Sequence, residues 1–282
     1  MSERPPQFGA RLAEAIRRHG RLCVGVDPHA ALLTQWGLAD DVAGLREFGR
    51  RVLDAAVGRV GIIKPQVAFF ERFGPAGLSV LAELQQAARR EGLLVIADAK
   101  RGDIGSTMAG YAEAWLDPDA ALAADALTVS PYLGFGSLSP AVEAARRHGA
   151  GLFVLALTSN PEGREVQLAR DAHGTVAAGI AAQAAAENDV VDDGALGDIG
   201  LVVGATTAGL AEEAGVDLTA GAMPLLAPGY GAQGATAQDL RRGFGPAHRQ
   251  VVVNSSRGIL AHGPDVASLT AAIDRTVADL GD

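Results

Sequence analysis

Lysine is nearly absent from this 282-residue chain: of its 24 cationic side chains, Lys64 and Lys100 are the only two that are not arginine. Arg is always charged and keeps a planar fork, whereas Lys is a compact ammonium whose proton affinity follows its surroundings, so the places of these two carry information. Cysteine is scarcer still. Cys23 stands alone, which excludes an internal disulfide, and its apolar run Leu22 to Val26 makes it a buried, inert thiol of a reducing compartment, the cytoplasm. Positive charge is in deficit overall, with a net charge of −9 and a pI near 5.2. That excludes a diffuse basic field for nucleic acid, so an anionic partner must be a small molecule met by local cations. No run approaches the roughly 18 apolar residues of a membrane span, and Met1 to Pro6 lack a basic segment leading into an apolar one, so neither a membrane nor a targeting route is expected. The six histidines show no H-x-H or H-E-x-x-H spacing, and no G-x-S-x-G elbow occurs, which argues against a zinc site and a serine hydrolase.

What is present is ordinary globular material, 48% hydrophobic and 20% charged, ruling out disorder, collagen and coiled coil. Short runs of Val, Ile, Leu and Ala predict eight buried parallel strands at Leu22 to Val26, Val60 to Lys64, Leu93 to Asp98, Ala126 to Val129, Leu152 to Leu157, Ile199 to Val203, Met223 to Leu226 and Val251 to Val253. Amphipathic stretches alternate with them, among them Leu38 to Val57, Gly77 to Glu91, Ser139 to His148, Val176 to Glu187 and Ala208 to Ala214. Eight βα units without a linker predict an α/β fold, one (β/α)8 barrel domain over residues 1–282. The widest gap, after the fifth strand, marks a polar insertion at Gly163 to Gly174, expected as a surface loop or short helix.

In such a barrel chemistry belongs at the carboxyl ends of the strands. The first strand runs into Asp27, the second ends at Lys64, and the third runs through Asp98, Lys100 and Asp103. Both lysines therefore sit at adjacent strand mouths. Asp98 and Lys100 are two apart, so an extended backbone would point both to the pocket face. Asp103 reads equally as a cap on the helix that follows and as a functional carboxylate, and Thr107 would be a surface residue on the first of these readings. A second cluster, Pro228-Gly-Tyr-Gly-Ala-Gln233-Gly234, is followed after the eighth strand by Asn254-Ser-Ser-Arg257. Gly229 to Gly234 matches G-x-G-x-x-G literally. It neither opens a first βα unit nor is answered by an acid about 20 residues on, which disfavours NAD. Glycine-rich loops after the last strands of a barrel instead cradle phosphate, with Gln233 and Arg257 as the natural side-chain contributors.

Asp98-Ala-Lys100-Arg-Gly-Asp103-Ile104-Gly-Ser-Thr107 resembles the D-x-K-x-x-D-I-x-x-T signature of the orotidine 5'-phosphate decarboxylases, and the Gly229 to Gly234 loop resembles their phosphate loop. Lys64-Pro-Gln-Val-Ala-Phe-Phe-Glu71 and Val24-Gly-Val-Asp27-Pro28 are similar to the longer, type 2 form, and the likeness runs from about residue 20 to 262. The resemblance implies a cofactor-free, metal-free homodimer with shared sites that converts orotidine 5'-phosphate to UMP in pyrimidine synthesis. It implies Lys100 as proton donor to C6, Asp98 beside the substrate carboxylate, Lys64 ordering the charges and touching the ribose, and Asp27 on a ribose hydroxyl. Ser159 would meet the pyrimidine, and Gln233 and Arg257 the phosphate. Asp103, Ile104 and Thr107 would reach into the neighbouring subunit's site. The rival on the same scaffold is a Mg²⁺-dependent sugar-phosphate decarboxylase or aldolase, which shares D-x-K-x-x-D but lacks a catalytic lysine on the second strand.

Overall fold

Runs of Val, Ile, Leu and Ala without polar alternation suit strands covered on both faces, and in the computed structural model they take that place. Residues 7–188, 195–231 and 234–281 are described. Eight parallel strands close a barrel: β1 (Leu22–Val26), β2 (Ile62–Pro65), β3 (Leu94–Arg101), β4 (Ala126–Val129), β5 (Gly151–Leu157), β6 (Ile199–Val203), β7 (Leu225–Pro228) and β8 (Val251–Ser255). Closure is made by β1, which pairs in parallel with both β2 and β8. Helices fill the connections, including Val42–Ala56, Gly74–Arg90, Gly105–Leu116, Ser139–His148, Val176–Ala186 and Val266–Leu280. Among the described residues no helix is long and apolar enough to cross a membrane.

The predicted strands are all present; Leu22–Val26, Ala126–Val129 and Ile199–Val203 have the expected bounds and the other five differ at one or both ends. β7 starts two residues later than Met223, because Met223 closes a 3-10 turn over Ala220–Ala222. β2 starts at Ile62 and β3 runs on to Arg101, carrying the strand backbone past the residues singled out for chemistry. The helix expected from Leu38 begins at Val42, where the Asp41 carboxylate accepts the Gly44 N–H at 2.8 Å and satisfies one free donor of the first turn. The amphipathic stretch Ala208 to Ala214 is a 3-10 turn, Ala208–Leu210, followed by a single α-turn, Ala211–Ala214, rather than one continuous helix. The insertion forms a short helix, Gly163–Gln167, and a two-stranded hairpin of Arg170–Asp171 with Gly174–Thr175.

Alternation along the strands divides the core. Outward residues such as Val24, Ile63, Val95 and Leu127 join the helices in one layer, while Cys23, Ile62, Ile96, Phe153, Val202 and Val252 fill the barrel. The amino-terminal face is plugged by the helix Phe8–His19. Phe8 is fully buried and meets Phe153 edge to face, with ring centres 6.0 Å apart. Gly151 must lack a side chain there, since a Cβ would lie 2.2 Å from the Phe8 ring. Arg11 pairs with Asp125 and donates to the Gly149 carbonyl at 2.8 Å, fixing the plug to the starts of β4 and β5. Phe8→Ala is expected to lower unfolding free energy by about 3–5 kcal/mol, read from urea denaturation; a loss under 1 kcal/mol would show that the plug adds little.

Candidate active site

Lys64 and Asp98 are the inward-facing residues near the carboxyl ends of β2 and β3, and the barrel brings them face to face. The Lys64 ammonium donates to Asp98 Oδ2 at 2.7 Å, with both residues under a tenth exposed. The half-exposed Lys100 ammonium donates to Asp98 Oδ1 at 2.5 Å, and the Thr128 hydroxyl of β4 donates to the same oxygen at 3.0 Å. Burial alone would raise the carboxyl's proton affinity, but Lys64 and Lys100 outweigh it and hold Asp98 well below the usual carboxylate range. Burial likewise works against the Lys64 charge. Asp98 and Asp27 together outweigh it and keep Lys64 above the ordinary lysine range. The three groups form a fixed line of charge, ammonium, carboxylate, ammonium. Cys23, beneath them, is buried, and burial pushes its thiol up to about 12, as suits an inert residue.

Lys100 reaches this place by a route that differs from the expected one. The backbone is not extended there: φ is +48°, in the left-handed region, and the β3–β4 register slips between Ala97 and Arg101. The Lys100 N–H donates to Thr128 Oγ1 at 2.9 Å, so one hydroxyl holds both the bulge and the carboxylate. A left-handed non-glycine residue costs about 1–3 kcal/mol and is kept where its surroundings over-determine it.

A cavity of about 710 Å³ opens above the array, lined by Asp27, Ser159, Asn254 and Arg257 among others. Asp27 Oδ1 and Asn254 Oδ1 are buried there without a protein partner, two acceptors ready for a polar ligand. Arg257 is exposed at the rim and makes no ion pair among the described residues. The glycine loop follows β7. Gly229 and Gly231, at φ +106° and +70°, turn the chain where a side chain would be strained, and the Tyr230 hydroxyl donates to Asp279 of the last helix. Gln233 lies outside the described residues.

Asp103 and Thr107 are not brought to the cavity of their own chain. The Asp103 carboxylate accepts the Ile104 N–H at 2.8 Å, but the N-cap position belongs to Ile104, so Asp103 does not cap the helix Gly105–Leu116. Ile104, next to Asp103, exposes 61% of its surface, and on the loop after β4 Tyr132, which also lines the cavity, and Leu133 expose 77% and 54%. The insertion is more than surface: Val166 and Gln167 line the cavity, and the Gln167 amide donates to Thr158 Oγ1 at 2.7 Å. Sequence reading missed Thr128, Gln66 and Asn254. Each is a polar residue at an inward position of an apolar strand end, a signal visible once the strand register is known.

The sequence matches the orotidine 5'-phosphate decarboxylase / HUMPS family over residues 20–272. The chain belongs to that family. It is 59% identical over 274 residues to the orotidine 5'-phosphate decarboxylase of Streptomyces coelicolor, covering 97% of this chain and 96% of that one. A crystal structure from Streptomyces avermitilis, provisionally named as the same enzyme, superposes with a TM-score of 0.93 at 57% identity, covering 98% of this chain and 95% of that chain. The Leishmania donovani OMP decarboxylase superposes with a TM-score of 0.76 at 30% identity, covering 98% of both chains.

A family member with this array has a definite electrostatic signature. The lowered proton affinity of Asp98 contributes stability that is fully present above the unfolded aspartate value near 3.9 and is lost as pH falls toward the lower folded value. Asp98→Asn removes the carboxylate bonded to Lys64 and leaves the buried ammonium facing only Asp27, and is expected to cost about 3–5 kcal/mol at pH 7. Urea unfolding of both proteins from pH 7 to pH 3 should show the gap narrowing below about pH 4; a gap that stays constant would mean that Asp98 is not held ionised by the lysines.

Proposed function

We propose that the protein decarboxylates orotidine 5'-phosphate to UMP and CO₂ without metal or cofactor, as a single-domain cytoplasmic enzyme. One observation carries the reading: a buried carboxylate held between two ammonium groups at the floor of a cavity whose rim offers a free arginine. In the reaction the bond from C6 to the substrate carboxylate breaks and CO₂ leaves. The electron pair left on C6 takes a proton from Lys100 Nζ, and the neutral amine regains one from water. An ammonium fixed beside C6 before reaction stabilises the developing charge without reorganisation. Asp98 stays ionised next to the substrate carboxylate, a repulsion relieved as CO₂ departs.

Lys64 would hold Asp98 in place and meet the ribose, with Asp27 Oδ1 accepting a ribose hydroxyl. Ser159 would face the ring, and Arg257 with Gln233 would bind the phosphate, a remote anchor whose binding energy is used at the reacting carbon. The mouth does not suit Mg²⁺, the requirement of the sugar-phosphate rival. Both Asp98 oxygens already serve ammonium groups, whose positive charge opposes a cation at that carboxylate. Purified protein in EDTA should bleach the orotate absorbance of the substrate, with Lys100→Ala abolishing turnover and Arg257→Ala lowering kcat/KM by about two to four orders of magnitude. No turnover by the unaltered protein would shift the reading to the Mg²⁺-dependent relatives.

The partner in this reading is a second copy of the chain. The exposed Ile104, Tyr132 and Leu133 support a homodimer in which Asp103 and Thr107 of the partner subunit complete each site. Mixing inactive Lys100→Ala and Asp103→Ala dimers should then restore part of the activity, because one site of each hybrid regains both groups. No recovery while subunits demonstrably exchange would count against shared sites.

A further inference from the structure

Lys100 is the one residue of the charge array whose aim depends on an unfavourable backbone conformation, so something must hold that backbone. The residue after it supplies the grip. Arg101 turns its guanidinium back across the bulge and donates from Nη1 to the carbonyl of Ala99 at 3.3 Å, bracketing Lys100 between its own two neighbours. Its other terminal nitrogen, Nη2, pairs with Glu71, which lies seven residues beyond Lys64 on the short helix after β2. The guanidinium also stands 5.6 Å from the ring centres of both Tyr111 and Trp115 on the helix Gly105–Leu116. The Arg101 backbone carbonyl accepts the Ser130 N–H at 2.8 Å, where the strand returns to register against β4. The neighbouring Gly102 has no room for a side chain, since a Cβ would meet the Ser130 carbonyl at 2.5 Å. Thus the chain on the far side of the bulge is anchored to β4, to the helix Gly105–Leu116 and to the segment following Lys64.

We infer that the Arg101–Glu71 pair is the clamp that keeps Lys100 in its left-handed turn and its ammonium on Asp98. Arg101 and Glu71 are positioning residues: neither lines the cavity, and they act on the reaction only through Lys100. The pair also ties the motif that carries Lys64 to the one that carries Lys100, which explains why an arginine and a glutamate accompany the two lysines in this chain. The inference deepens the proposed decarboxylase reading and rests on it for its kinetic part.

The two-lysine composition supplies a test that does not need turnover. Protein grown on lysine labelled at ¹³Cε gives two side-chain signals, assigned with Lys100→Ala. In Glu71→Gln and in Arg101→Met the Lys100 signal should move or broaden while the Lys64 signal keeps its place, because Lys64 remains buried on Asp98. In the same variants kcat should fall about 10- to 100-fold with KM changed less than about threefold, since a misplaced proton donor weakens the transition state and leaves ground-state binding. Glu71→Asp, which keeps the charge, should recover most of the loss. Glu71 is more than a third exposed, so its substitution leaves the folded barrel available for measurement. An unchanged Lys100 signal in folded variants, or Lys64 and Lys100 signals that move together, overturns the clamp. A shifted Lys100 signal in a protein that never consumes orotidine 5'-phosphate keeps the clamp and rejects the decarboxylase reading instead.

Discussion

A carboxylate taken out of water must find compensation for its lost hydration, and in this barrel Asp98 finds it in two ammonium groups and a hydroxyl. The rest of the site is arranged around that requirement. Lys64 tolerates burial only because Asp98 and Asp27 face it, and Asp98 stays ionised only because the lysines are there. The charges are mutually dependent, so the array is a unit. Asp98 and Lys64 both keep their charges through the neutral range, because each faces the other in the same buried place.

Holding such a unit demands rigid supports on several strands at once. The β2–β3 register puts Asp98 opposite Gln66, two residues beyond Lys64, so the Lys64 side chain reaches along the barrel to the carboxylate, and Thr128 on the next strand binds both the Asp98 carboxylate and the Lys100 backbone. The closed barrel has no free edge, and its other end is sealed by Phe8 and Leu12, so the polar mouth rests on a packed apolar column. The strain at Lys100 is stored on that base and countered by contacts reaching two other segments. The cavity above is roomy and lined by acceptors without partners, a surface shaped for a polar ligand that supplies the missing hydrogen bonds.

Much of this was legible in the chain. Eight apolar runs separated by amphipathic stretches define an α/β barrel because buried parallel strands and their covering helices have different periods, and those periods are written in the residues. The scarcity of lysine pointed to Lys64 and Lys100, the strand-end rule placed Asp27, Asp98 and Arg257 at one mouth, and the family resemblance added Ser159. Those determinations are local, depending on residue type and on position along one strand.

What the tertiary structure decided is which groups meet and at what angle. The left-handed turn at Lys100 follows from contacts with β4, Ala99 and Glu71, none of which periodicity encodes, and it replaced the extended geometry that a two-residue spacing suggests. Thr128 and Asn254 became site residues only when the folded barrel showed them facing inward, Thr128 on the Asp98 carboxylate and Asn254 in the wall of the same cavity as Asp27. The insertion turned from polar surface into cavity wall because its short helix folds back over β5. Asp103 and Thr107 stayed outside their own chain's cavity, which leaves their chemistry to whatever covers them. Sequence fixes a residue's chemistry and its face, through side-chain type and local period; distance, strain and partnership arise from segments far apart in the chain, and only folding brings those together.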